Sequence, residues 1–220
     1  MGSVLLAEPL LDAAYGVGTD RRRVAQIILD EFLIAGYPAG IALAAIVNAE
    51  AESSLIPNKV GDNGHSVGLF QLNDIGGKIV FSFDRTDPHL NTRAIIAEFE
   101  RLFGKTGKIG KYEAFQSLGT LMNTGADVKT YAAEFAARVE RPHDIPGEMV
   151  KRSNLAVQRF GDAAYRAVTG FAYGPKGAIA KAAEDPKLRE ALARRYWWAA
   201  LLFVGAVSVV GYHVVRRATR

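Results

Sequence analysis

Residues 41–47 (IALAAIV) are apolar on nearly every side, the pattern of a helix buried at the centre of a domain. The run is too short to cross a bilayer, so it marks a core helix, and it delivers the chain to Glu52 and Ser53. Pro57 then ends any continuing helix, because proline lacks the amide donor and pushes the preceding residue out of the helical region. Gly61, Asp62, Asn63 and Gly64 follow, the glycines permitting positive φ and Asp and Asn favouring tight turns. The chain turns apolar again over Ser66–Gln71 (SVGLFQ). A carboxyl at the end of a buried helix, facing a polar glycine-rich loop, is placed to keep its proton while leaving room for a substrate, as in a glycosidase. Glu50 rivals Glu52 for that position, but two residues along a helix is about 200° of rotation, so the two cannot face one cleft.

The flanking pattern is helical. Thr19 and Asp20 are placed to cap a helix from Arg21, with Val24, Ile27, Ile28 and Phe32 at helical spacing, ended by Gly36 and Pro38. The apolar helix then runs over Ala39–Glu52. Ile79–Phe83 (IVFSF) is the one stretch with strand character. Asp87 and Pro88 break the chain, and Asn91 or Thr92 caps a helix reaching Phe103. Further helices are expected over 112–122, 127–139 and 146–168, the last with Pro146 in its first turn, where proline is tolerated. Residues 170–176 (GFAYGPK) read as a linker.

A final helix begins after Pro186 and runs into Trp197–Val215, 19 residues without an acid, lysine or arginine. At about 1.5 Å rise each they reach roughly 28 Å, close to a hydrocarbon core of about 30 Å. Tyr196, Trp197 and Trp198 stand at one end and Tyr212 near the other, as interfacial aromatics do. The alternative is a buried core helix. Lysines and arginines exceed acids by only 27 to 23 in a chain of 220 residues. Arg194, Arg195, Arg216, Arg217 and Arg220 bracket the apolar segment, which reads as membrane-flanking charge, and no nucleic-acid partner is expected. The absence of cysteine excludes disulfides, thiolate metal sites and cysteine nucleophiles. Asp62, Asn63 and His65 match no metal-ligand spacing, so neither metal nor cofactor is expected, and His65 reads as an exposed turn residue. The N-terminus has no basic residue ahead of its short apolar stretch and does not resemble a secretory signal.

Glu52, Ser53 and Pro57, followed by residues 61–71 (GDNGHSVGLFQ), resemble the lysozyme-like domain of phage-tail and virion-associated muralytic proteins, related to lytic transglycosylases and goose-type lysozymes. Residues 90–99 (LNTRAIIAEF), 122–125 (MNTG) and 135–142 (FAARVERP), with Arg152 downstream, fit the same pattern, so the resemblance covers roughly residues 27–165. It departs at 122–125, where many transglycosylases carry Tyr-Asn-Ala-Gly, and at Val139, where the family has phenylalanine.

The resemblance implies a mainly α, lysozyme-like (α+β) domain with a minimal β element, cleaving β-1,4 MurNAc-GlcNAc bonds of peptidoglycan. It selects Glu52 as the general acid that protonates the leaving oxygen while positive charge builds on the sugar. Asp62 is either a second catalytic carboxylate or a turn residue. Ser66 and Gln71 match polar positions beside the acid, suited to hydrogen bonds with an N-acetyl group or with Glu52. Asn123 is a substrate-binding candidate or a helix-ending residue, and Glu140, with Arg141, lines the cleft or forms a structural ion pair. Hydrolysis and formation of an anhydro product remain open.

The expected organisation is an N-terminal extension over 1–19, the domain over 20–168, a linker over 169–185, and a C-terminal helix over 186–220 with a transmembrane segment at 197–215. The expected partners are peptidoglycan glycan strands, a lipid bilayer and other virion proteins. The expected location is a virion or the host cell envelope. A non-catalytic virion protein of the same fold and a host membrane-tethered wall enzyme are the alternatives.

Overall fold

A computed structural model describes residues 4–103, 126–140 and 143–165. The chain divides into two units, Met1–Ala172 and Tyr173–Arg220, and every described residue lies in the first. Among the described residues six α-helices carry the fold: α1 (Val4–Tyr15), α2 (Asp20–Ile34), α3 (Ala39–Ser53), α4 (Pro88–Phe103), α5 (Val128–Phe135) and α6 (Ile145–Phe160). A three-stranded antiparallel meander lies between α3 and α4, formed by β1 (Val60–Gly61), β2 (Ser66–Val67) and β3 (Leu72–Asn73). The expectation of a mainly α domain with a small β element therefore holds.

Helix α3 is the axis of the packing. It contacts α1, α2, α5 and α6, and Ile41, Leu43, Ile46 and Val47 are all buried. Each such side chain contributes on the order of 1.5–3 kcal/mol by leaving water. A line of aromatic rings ties the other elements to this core. Phe32 of α2 meets Phe99 of α4 edge to face at 5.9 Å, Phe99 meets Phe135 of α5 at 5.0 Å, and Phe135 stacks on Phe70 at 6.1 Å. Because Phe70 follows β2, that last contact fixes the meander to the helices.

Local chemistry sets most boundaries. Thr19 caps α2 by accepting from the Arg22 amide at 3.1 Å. The segment before residue 20 is joined to the domain, since α1 buries Ala7, Leu11 and Tyr15 and packs on α2, α3 and α6. Helix α4 begins earlier than expected. Asp87 accepts from the amides of His89 and Leu90 at 2.8 and 3.2 Å, leaving Pro88 in the first turn, where its missing donor costs nothing. Asn91, no longer needed as a cap, instead pins the meander. Its side chain bonds the Phe70 amide and the Val67 and Arg85 carbonyls.

The strand expected over Ile79–Phe83 is not formed, and the β element lies at residues 60–73 instead. Strand propensity is realised only against a partner edge. Here Val80 is 91 % exposed, while Phe81 turns edge to face onto Phe83 and under the Arg85 guanidinium. No helix among the described residues is long and apolar enough to cross a membrane. The segment at 197–215, the linker and the helix expected at 112–122 lie outside the described residues.

Candidate functional site

Two consecutive non-glycine residues in the left-handed region, Ser54 (φ 58°) and Leu55 (φ 60°), terminate α3 just past Glu52 and Ser53. Burial of Leu55 holds that turn, which directs the chain towards the meander. Glu52 thus occupies the last turn of a buried helix with its side chain 29 % exposed, reachable by solvent but fixed.

What fixes it is Arg152 of α6. The guanidinium is nearly inaccessible and its three nitrogens are all engaged. Nη2 bonds Glu52 and lies 3.4 Å from Glu140 Oε2, Nη1 donates to Glu148 Oε2 at 2.7 Å, and Nε donates to Asn48 Oδ1 at 3.2 Å. Asn48 and Glu52 stand four residues apart on one face of α3, as Glu148 and Arg152 do on α6, so two helical repeats build the cluster. Asn48 also donates to the Ala132 carbonyl at 3.1 Å, bringing in α5.

Glu140 ends a π-helical turn, Ala136–Glu140, that follows α5. Its side chain is only 10 % exposed and its Oε1 has no hydrogen-bond partner. Burial, reinforced by the charge of Glu52 and opposed by Arg152, pushes its carboxyl up to about 8. The apolar setting expected to keep a proton on the helix-end acid therefore surrounds Glu140, whereas Glu52 faces a guanidinium. Glu140 is an inner member of the ion-pair cluster and offers little surface to a ligand.

Glu50 lies on the opposite side of α3, as the rotation along the helix requires. It is buried, accepts from Tyr15 Oη at 2.9 Å and is gripped by Arg159 of α6, with Arg21 at 3.4 Å. Burial and the neighbouring carboxylate raise the Tyr15 phenol, and the bond to Glu50 raises the Arg159 guanidinium. Every polar contact of Glu50 is internal, which leaves Glu52 as the acid of the pair with access to a ligand.

The meander gathers a second polar group. Ser66 Oγ donates to Asp62 Oδ2 at 2.5 Å, and Asn73 Nδ2 bonds both Ser66 Oγ at 2.9 Å and Asp62 Oδ2 at 3.2 Å. Gln71 turns inward on its own loop, its amide donating to the Gly68 and Lys59 carbonyls at 2.9 and 3.2 Å. The bonds expected from Ser66 and Gln71 to Glu52 go elsewhere: Ser66 orients Asp62, and Gln71 braces the turn between β2 and β3. His65 sits beside Asp74 at 2.8 Å, and Arg85 ties this corner together by donating to the His65 and Leu72 carbonyls. Asn123 and Arg141 lie outside the described residues. Among the described residues no group of three potential ligands is placed to hold a metal ion.

Arg152, Glu148, Asn48 and Asn73 complete these clusters beyond the sequence-derived candidates. Asn48 carries a signal, being the first polar side chain after the unbroken apolar run that opens the helix. Arg152 is tied only to the resemblance, and Glu148 carries no signal beyond its helical spacing from Arg152. No family model matches the chain, and no curated protein or solved structure does either.

Proposed function

We propose that the chain is a peptidoglycan-cleaving muramidase, a lysozyme or lytic transglycosylase acting on β-1,4 MurNAc-GlcNAc bonds, with Glu52 as proton donor. The observation that carries this reading is the placement of Glu52. It is a partly exposed carboxyl at the end of the central buried helix, held in one orientation by a buried arginine that a second, raised carboxyl also contacts. General-acid chemistry at a sugar oxygen needs a fixed, solvent-reachable acid with a proton source nearby. Asp62, oriented by Ser66 and Asn73, is the second carboxylate of the proposal, positioned by the next segment of chain to steady positive charge or a nucleophile.

The test is a peptidoglycan zymogram with the wild type and Glu52→Gln. Clearing by the wild type and its loss in the variant support the reading, and no clearing by the wild type removes it. The form of the product decides between the two chemistries, since muropeptides with anhydro ends weigh one water less than those with reducing ends. We further propose a virion-associated role in breaching the cell wall, with residues 197–215 as a single membrane anchor. Detection of the protein in purified particles would support that role, and its confinement to the host inner membrane would refute it.

One observation favours a second reading. The ion pair between Arg152 and Glu52 also suits a fold that binds glycan without cutting it, because a side chain pinned by a buried arginine offers a fixed acceptor to sugar hydroxyls. Retention of both wild type and Glu52→Gln on insoluble peptidoglycan, without release of fragments, would establish that alternative.

A further inference from the structure

Glu52 and Glu140 approach the same nitrogen of Arg152 from two different elements, α3 and the π turn after α5. Burial and the charge of Glu52 both favour a proton on Glu140. Two carboxylates so close cannot both ionise cheaply, and the arrangement is relieved when one proton lies between them. The unpartnered, buried Oε1 of Glu140 points the same way, since a neutral acid tolerates an orphaned oxygen far better than a carboxylate does.

The surrounding charge agrees. Among the described residues, the charged groups facing this pair are Arg152 and Glu148 from α6, and Glu148 is also bonded by the exposed Lys151 at 2.5 Å. Glu134 of α5 and Arg138 of the π turn are paired with each other at 3.1 Å, and Asp62 of the meander is engaged with Ser66 and Asn73. Two cations therefore stand against three carboxylates, and one added proton makes the cluster neutral.

We propose that Glu52 and Glu140 hold a single shared proton and that Glu140 is the positioning residue that keeps it available to Glu52. This rests on the glycan-cleaving reading above. Glu52, the more exposed member, delivers the proton to the leaving oxygen as the bond from that oxygen to the anomeric carbon breaks. The water or sugar hydroxyl that takes the carbon gives up one proton to the pair, which returns to its starting count.

Two measurements test the proposal. In the first, the pH profile of kcat/KM for peptidoglycan solubilisation is compared between wild type and Glu140→Gln. The basic limb is expected to move down by about one pH unit or more in the variant, so that the loss at pH 8 exceeds the loss at pH 5 by about tenfold. A uniform loss with the limb unmoved would mean a merely structural role and overturns the proposal. In the second, carbonyl NMR of glutamate-labelled protein follows the pair without reference to activity. The wild type is expected to show one carboxyl titrating near pH 8, moving to lower pH in Glu52→Gln. No carboxyl above the ordinary range overturns the shared proton even if the enzyme is active. The expected titration in a protein that cuts no peptidoglycan leaves the shared proton standing and removes its catalytic role together with the cleavage reading.

Discussion

Arg152 holds the candidate site together at the cost of taking a guanidinium almost wholly out of water. Removing one partner of such a buried cluster is worse than never having built it, because the remaining charges lose their compensation. Arg152→Met is expected to destabilise the fold by about 3–5 kcal/mol at pH 8, and by less at pH 5, where Glu140 carries a proton. Urea unfolding at the two pH values measures the difference. On the other side of α3, Glu50→Gln keeps an acceptor for Tyr15 but weakens the bond to Arg159. The expected cost is roughly 2 kcal/mol, the scale of a lost hydrogen bond to a charged group, and the proposed cleavage of glycan should be unaffected. In the sequence, rotation along the helix separates these two acids and the resemblance selects Glu52. The sequence cannot reveal which one is spent on internal partners, because those partners sit 29 to 109 positions away.

At the scale of the element, the turn after α3 and the meander carry the strain. Ser54 adopts a left-handed conformation that costs a non-glycine residue about 1–2 kcal/mol. Ser54→Gly is expected to raise stability by about 0.5–1 kcal/mol in thermal unfolding, whereas the same change at Leu55 forfeits a buried side chain and lowers it. Gly68 is the opposite case. At φ +90° a Cβ would lie 2.3 Å from the Arg85 carbonyl and 2.1 Å from Asn91 Nδ2, so Gly68→Ala should detach the meander from α4 at a cost of roughly 2–4 kcal/mol. Faster hydrogen exchange at the Phe70 amide would report it. These elements are legible in the sequence to different degrees. Periodicity and caps give α2 and α3 to within about a residue, because a helix is set by its own neighbours. The meander reads as turns, because two-residue strands exist only through pairing, and residues 79–83 read as a strand for want of any sign that no partner edge is near. Asp87 reads as a breaker but acts as a cap, since Pro88 is compatible with both.

For the whole molecule, two buried acids pull stability in opposite directions along the pH scale. Burial works to raise Glu31, but the bonds from His89 and Arg93 outweigh it and hold the carboxyl below its ordinary value of 4.5. Its contribution is complete above that ordinary value and is lost as pH falls through the lower, folded one. Glu140 is raised from 4.5 to about 8, so its penalty is absent below the ordinary value and grows as pH rises towards 8. From these two groups the described domain should be most stable near about pH 5. Melting temperatures from pH 3 to 9 are the measurement: Glu140→Gln should flatten the alkaline side and Glu31→Gln the acid side. Both arginines that grip the end of α3, Arg152 and Arg159, come from α6 and stand seven residues apart, close to two full turns and so on one side of that helix. During synthesis on the ribosome, the acids at 50 and 52 emerge about a hundred positions before these cations. The central helix must wait in a provisional packing until the sixth is delivered, and a chain cut short before residue 145 would leave both acids without their main counter-charge.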